Sequence, residues 1–158
     1  MVQSRFHYFT DSAKLALKEA QQSAERYQQT YIAPEHLLLG ITAGGTTTVS
    51  KLLERLEVDP SLLHRATERA IVDWLAAHPG GETSWQGLTT ETRQAIELAV
   101  GEASREQQGF IGSEHLLLAL LSQSGTLASE VLERAGLDLE RARVKLHRLR
   151  QEGHASEP

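Results

Sequence analysis

The chain has 158 residues, 40% hydrophobic, 23% charged and 5% aromatic, which suits one domain, or two small halves sharing a core, and lies well away from disordered composition. It contains no cysteine, which excludes disulfides, thiolate metal sites and a cysteine nucleophile. The net charge of -5 argues against sequence-independent nucleic-acid binding, the apolar run at 116–121 is far short of the roughly 20 residues that span a bilayer, and no basic segment followed by an apolar one opens the chain as a secretory leader would.

The chain reads as helical throughout. A first helix is expected over 10–29, with Ala13, Ala16, Leu17, Ala20, Ala24 and Tyr27 on one face and Thr10 as its cap. A second begins at Pro34, a residue favoured at the first helical position, carries Leu37, Leu38, Leu39 and Ile41, and ends before Gly44. A third spans 47–56, with Val49, Leu52, Leu53 and Leu56 as its apolar stripe. Asp59-Pro60 reads as an N-cap followed by Pro at the first helical position, opening a fourth that runs to Ala77 through Leu62, Leu63, Ala66, Ala70, Ile71 and Trp74. Residues 78–87 are Pro- and Gly-containing and read as a linker, which Trp85 is expected to fold back onto the body. Four more helices are expected over 89–108, 113–122, 126–135 and 138–151, followed by a frayed tail at 153–158. No segment shows the period-two alternation of a strand.

The second set of helices repeats the first. Tyr31-Ile-Ala-Pro-Glu-His-Leu-Leu-Leu39 returns as Phe110-Ile-Gly-Ser-Glu-His-Leu-Leu-Leu118, 79 positions on. Across 9–59 and 88–138, without a gap, about 19 of about 51 positions are identical, the mark of an internal duplication. The expected fold is therefore all-α: eight helices in two pseudo-symmetric four-helix repeats, 1–77 and 88–152.

At the two Glu-His-Leu-Leu-Leu segments the chain resembles the Clp N-terminal domain, the double-repeat module at the front of ClpA-, ClpB- and ClpC-type unfoldases. Phe9-Thr10-Asp-Ser-Ala13 and Ile32-Ala-Pro-Glu-His-Leu-Leu-Leu-Gly-Ile41 match the first half of the family's signature. Leu88-Thr89 and Ile111-Gly-Ser-Glu-His-Leu-Leu-Leu-Ala-Leu120 match the second. The Glu-His form in both halves is more similar to ClpC than to ClpB. The resemblance covers residues 5–150. It implies a non-catalytic, cytoplasmic, monomeric module that recruits substrate proteins or adaptors to Clp ATPase and peptidase subunits, with no cofactor, metal, nucleic acid or membrane involved. Such a module stands alone, forms the front domain of a longer ATP-dependent unfoldase, or docks on a Clp core and regulates it.

In ClpC-like members the same signature implies two pockets for phosphoarginine, with the glutamate on the guanidinium and the helix start on the phosphate. Here the second pocket keeps those parts. Glu114 can pair with a guanidinium, Ser113 adds a hydroxyl, Gly112 leaves the backbone approachable, and the helix N-terminus suits an anion. The first departs from the pattern: Ala33 replaces the glycine, and Pro34 offers neither N–H nor hydroxyl, so that Glu35 alone remains. The expected ranking puts the second site above the first.

Plainer readings stand beside these. Glu35 and Glu114 lie in first helical turns, where the dipole alone favours acids. His36 and His115 fit partly buried, hydrogen-bonded residues that hold the turn at the edge of the core. The remaining histidines show no zinc-site spacing. The basic series Arg141, Arg143, Lys145, Arg148, Arg150 reads as a solvated helix face near a helix C-terminus. No Gly-Lys pair of a phosphate-binding loop and no Gly-x-Ser-x-Gly elbow occur in the sequence, so neither ATP hydrolysis nor a serine hydrolase is legible in it.

Overall fold

The computed structural model describes residues 8–44, 47–79 and 86–153. Among them are eight helices: α1 (Asp11–Arg26), α2 (Pro34–Ile41), α3 (Thr48–Arg55), α4 (Pro60–Ala77), α5 (Thr90–Arg105), α6 (Ser113–Ser122), α7 (Leu127–Arg134) and α8 (Leu139–Gln151). Their starts follow local chemistry. Thr10 and Thr89 accept from the N–H groups of Ala13 and Thr92. Thr47 and Thr126 exchange reciprocal bonds with Ser50 and Ser129. Asp59 caps α4 through Ser61, and Asp138 caps α8 through Arg141. Each bond satisfies a donor that the first helical turn leaves unpaired.

The two halves share one core. Leu37, Leu38 and Leu39 of α2 and Leu116, Leu117, Leu118 and Leu120 of α6 are all buried, so these two short helices are apolar around most of their circumference. They pack on each other, and the main contacts between the halves come in reciprocal pairs: α4 on α7 and α3 on α8, α2 on α7 and α3 on α6, α1 on α6 and α2 on α5. The alanine faces of α1 and α5 are buried as expected, and so is the α3 stripe. On α4 Leu63, Thr67 and Ile71 are buried and Ala70 packs partly buried against the core, whereas Leu62 and Ala66 are exposed, contrary to their place in the apolar series.

The expectation of a strandless chain needs one correction. Two-residue strands β1 (Tyr31–Ile32) and β2 (Gly87–Leu88) pair in parallel, with N–H groups of Gly87 and Thr89 donating to Thr30 O (3.0 Å) and Ile32 O (3.1 Å). Phe9 and Ile111 make the symmetric counterpart, with Thr10 N–H on Ile111 O (3.0 Å) and Ile111 N–H on Tyr8 O (2.8 Å). Two residues are too few to show any period, which is why sequence reading missed them. The entry to each half's first helix is thereby tied to the loop before the other half's leucine helix. Gly87, at the end of the expected linker, belongs to this pairing. Trp85 lies outside the described residues, as does the tail after Gly153.

Candidate functional site

The two Glu-His segments form the first turns of α2 and α6. Each histidine is the third residue of its helix and reaches back to the cap. Ala33 N–H donates to His36 Nδ1, and Gly112 N–H to His115 Nδ1, both at 2.9 Å. With Nδ1 accepting, the proton sits on Nε2, which donates to Gln29 Oε1 in the first half and to Glu106 Oε1 in the second, both at 2.6 Å. The histidines hold the turn, as expected, but from inside the core rather than its edge: both are fully buried. Burial disfavours the charged ring and lowers the His36 pKa to about 4.

From this common frame the halves diverge. In the second, Glu114 is buried and its Oε2 accepts from Arg150 Nη2 at 2.7 Å. The same guanidinium reaches Glu106 Oε1 at 3.2 Å, so one cation from the last turn of α8 bridges two carboxylates and lies beside His115. Burial by itself would raise the Glu106 pKa, but the hydrogen bonds from His115 and Arg150 outweigh it and the net shift is downward. About two turns of α8 earlier, Arg143 pairs with Glu102 Oε2 at 2.6 Å. The basic series on α8 is therefore not simply a solvated face: Arg143 and Arg150 turn inward. The sequence did carry a signal for this. Arg143, Leu146 and Arg150 share one helical face, and Glu102 in α5 and Glu106 at its C-cap are one turn apart.

Gly112 is part of the same arrangement. A Cβ there would lie 2.2 Å from Glu114 Oε1, so the glycine leaves this carboxylate room to fold over the cap as it does. Ser113 is buried and lines a cavity with Ser12, Leu15, Glu19 and Gly40, between α1, α2 and the α6 start.

In the first half the equivalent of Gly112 is Ala33, and the equivalent of Arg150 is Ile71, a buried alkyl group. Glu35 is partly buried, and no other side chain pairs with its carboxylate among the described residues. Desolvation, opposed by its own backbone N–H and reinforced by Glu91, raises its pKa to about 7. Pro34 is buried at the first helical position. Among the described residues there is no cluster of metal-ligating side chains, and no helix long and apolar enough to cross a membrane.

The family model of the Clp repeat (R) N-terminal domain matches residues 8–83 and 87–157. The chain belongs to that family. It is 32% identical over 89% of its length to a probable ATP-dependent Clp protease ATP-binding subunit of Chlamydia pneumoniae, of which it spans 16%. The N-domain of ClpV from Vibrio cholerae superposes with a TM-score of 0.73 at 15% identity, over the whole of this chain and 93% of that one. A ClpV N-domain in complex with a VipB peptide superposes with a TM-score of 0.71 at 17% identity, over the whole of this chain and 95% of the other. At these identities the structures establish the fold alone.

Proposed function

We propose that the chain is a non-catalytic protein-binding module of the Clp unfoldase and protease system, working in the cytoplasm as a monomer and recruiting substrates or adaptors to Clp ATPase or peptidase subunits. Membership of the Clp repeat family over nearly the whole chain carries this reading. The peptide-bound ClpV N-domain supports it as an example of the same fold holding a protein segment. A second reading, the front domain of a longer ATP-binding subunit, is favoured by the 16–17% of their length that the chain spans in curated relatives. The binding role is the same in both.

The starts of α2 and α6 are the candidate ligand sites, with Glu35 and Glu114 as receptors for a guanidinium and phosphoarginine as the candidate mark. Each carboxylate is held at a helix start by a rigid histidine cap, which fixes its position in advance. The test is binding of casein carrying phosphoarginine, with unmodified casein as control, to the wild type and to Glu35→Ala/Glu114→Ala. Binding of the marked form alone, lost in the double variant, is the expected result. Equal binding of both caseins would remove the phosphoarginine ligand.

A further inference from the structure

The second acidic site already contains a guanidinium. Arg150 places Nη2 2.7 Å from Glu114 and 3.2 Å from Glu106, with the three side chains 13%, 7% and 18% exposed. That is the geometry a bound arginine side chain would adopt, supplied by the chain itself. We propose that Arg150 is a specificity-determining residue: a ligand in cis that fills the α6 pocket and leaves Glu35, in the α2 pocket, as the carboxylate open to an external guanidinium. The role of Glu35 rests on the proposed binding of a guanidinium-bearing partner.

The internal duplication supplies the comparison. The second half has Gly112 and Arg150, and the first has Ala33 and Ile71 at the equivalent positions. Gly112 leaves room for the Glu114 carboxylate in the position from which it meets Arg150, because a Cβ there would make it shift. Ala33 has a Cβ, and Ile71 has nothing to offer a carboxylate. The carboxylate is common to both copies, as Glu35 and Glu114, whereas the cation that meets it and the glycine beside it are both confined to the second. Glu106, the second acceptor, corresponds to Tyr27, so the additional acid also belongs to the half that has the arginine. Expulsion of Arg150 would leave two carboxylates buried without their cation. A ligand entering this pocket must replace that charge as well as displace it.

Two measurements separate the pocket from its proposed role. Arg150→Ala, checked for native helicity by circular dichroism, is titrated with methylguanidinium and with methylammonium as control. The variant is expected to bind one more equivalent of methylguanidinium than the wild type, and adding Glu114→Gln is expected to remove that additional site. A folded variant that binds no more methylguanidinium than the wild type overturns the proposal. Arg150→Gln, which keeps much of the side-chain volume, takes its place if the alanine variant does not fold. The same variant is then compared with wild type for phosphoarginine-bearing casein, where release of the pocket should raise affinity at least tenfold. Methylguanidinium binding with unchanged casein affinity overturns the gating role. Methylguanidinium binding with no casein binding by either protein keeps the internal ligand and removes the phosphoarginine reading instead.

Discussion

Glu35 and His36 are neighbours whose titrations oppose each other. Burial raises the Glu35 pKa to about 7, so its folded form holds a proton that the unfolded chain releases near 4.5. Its contribution to stability is full below pH 4.5 and is lost as pH rises through 7. Burial lowers the His36 pKa to about 4, so its contribution is full above 6.5 and is lost as pH falls through 4. Between pH 4.5 and 6.5 the two slopes cancel in part. Glu35→Gln removes one of them. The variant should exceed the wild type in stability by about 1–3 kcal/mol at pH 8, a gain that shrinks toward pH 4.5. It should also lose stability more steeply on acidification from 6.5. Urea unfolding at pH 4.5, 6.5 and 8 measures both effects, and parallel curves for the two proteins would show that Glu35 ionises as an ordinary carboxylate. Glu57 offers a simpler test. It adopts a φ of 62°, where the second half has Gly136 at 81°. Because a Cβ is disfavoured there, Glu57→Gly should raise stability by roughly 0.5–1 kcal/mol, read from the denaturation midpoint.

At the scale of elements, α1 and α2 approach closely at Gly40. A Cβ on Gly40 would lie 2.1 Å from the carbonyl oxygen of Ala16, backbone against backbone. The second half has Ala119 at this position, fully buried, so α5 and α6 accommodate the methyl that α1 and α2 exclude. Gly40→Ala should therefore destabilise by about 1–3 kcal/mol despite alanine's better helix propensity. A thermal midpoint equal to or above that of the wild type would mean that α1 slides to make room at no cost. Elements of this kind were largely legible in the sequence. Proline at helix starts, threonine and aspartate caps and the 79-residue repeat placed eight helices to within a few residues, and α4 and α6 to the residue. Pairing between elements was legible only in outline. Arg143 and Arg150 share a helical face with Leu146, but Arg150 and Glu114 are 36 positions apart, and nothing in the sequence says which acid a cation of that face meets. Pro34 and Ser113 drew attention to the backbone donors, whereas the geometry that separates the two pockets lies in the side chain that reaches Glu114.

The whole molecule is organised so that neither half is complete alone. The strand pairings cross between halves at both ends, Phe9 with Ile111 and Ile32 with Leu88. Leu37 and Leu38 of α2 and Leu116, Leu117, Leu118 and Leu120 of α6 belong to one continuous cluster. A cavity opened in one half should therefore weaken the other. Leu38 and Leu117 are equivalent and fully buried, and truncating either to alanine removes the same atoms from the same shared core. Each substitution should cost about 2–5 kcal/mol in urea or thermal unfolding, from lost transfer free energy and the cavity left behind. The single unfolding transition should shift without splitting, because contacts between the halves are part of what is lost. Native-state hydrogen exchange gives the sharper reading. Leu38→Ala should lower the protection of the α6 amides as well as those of α2, and Leu117→Ala should do the reverse. Loss of protection confined to the mutated half, or a second transition in the unfolding curve, would show two cores that only touch.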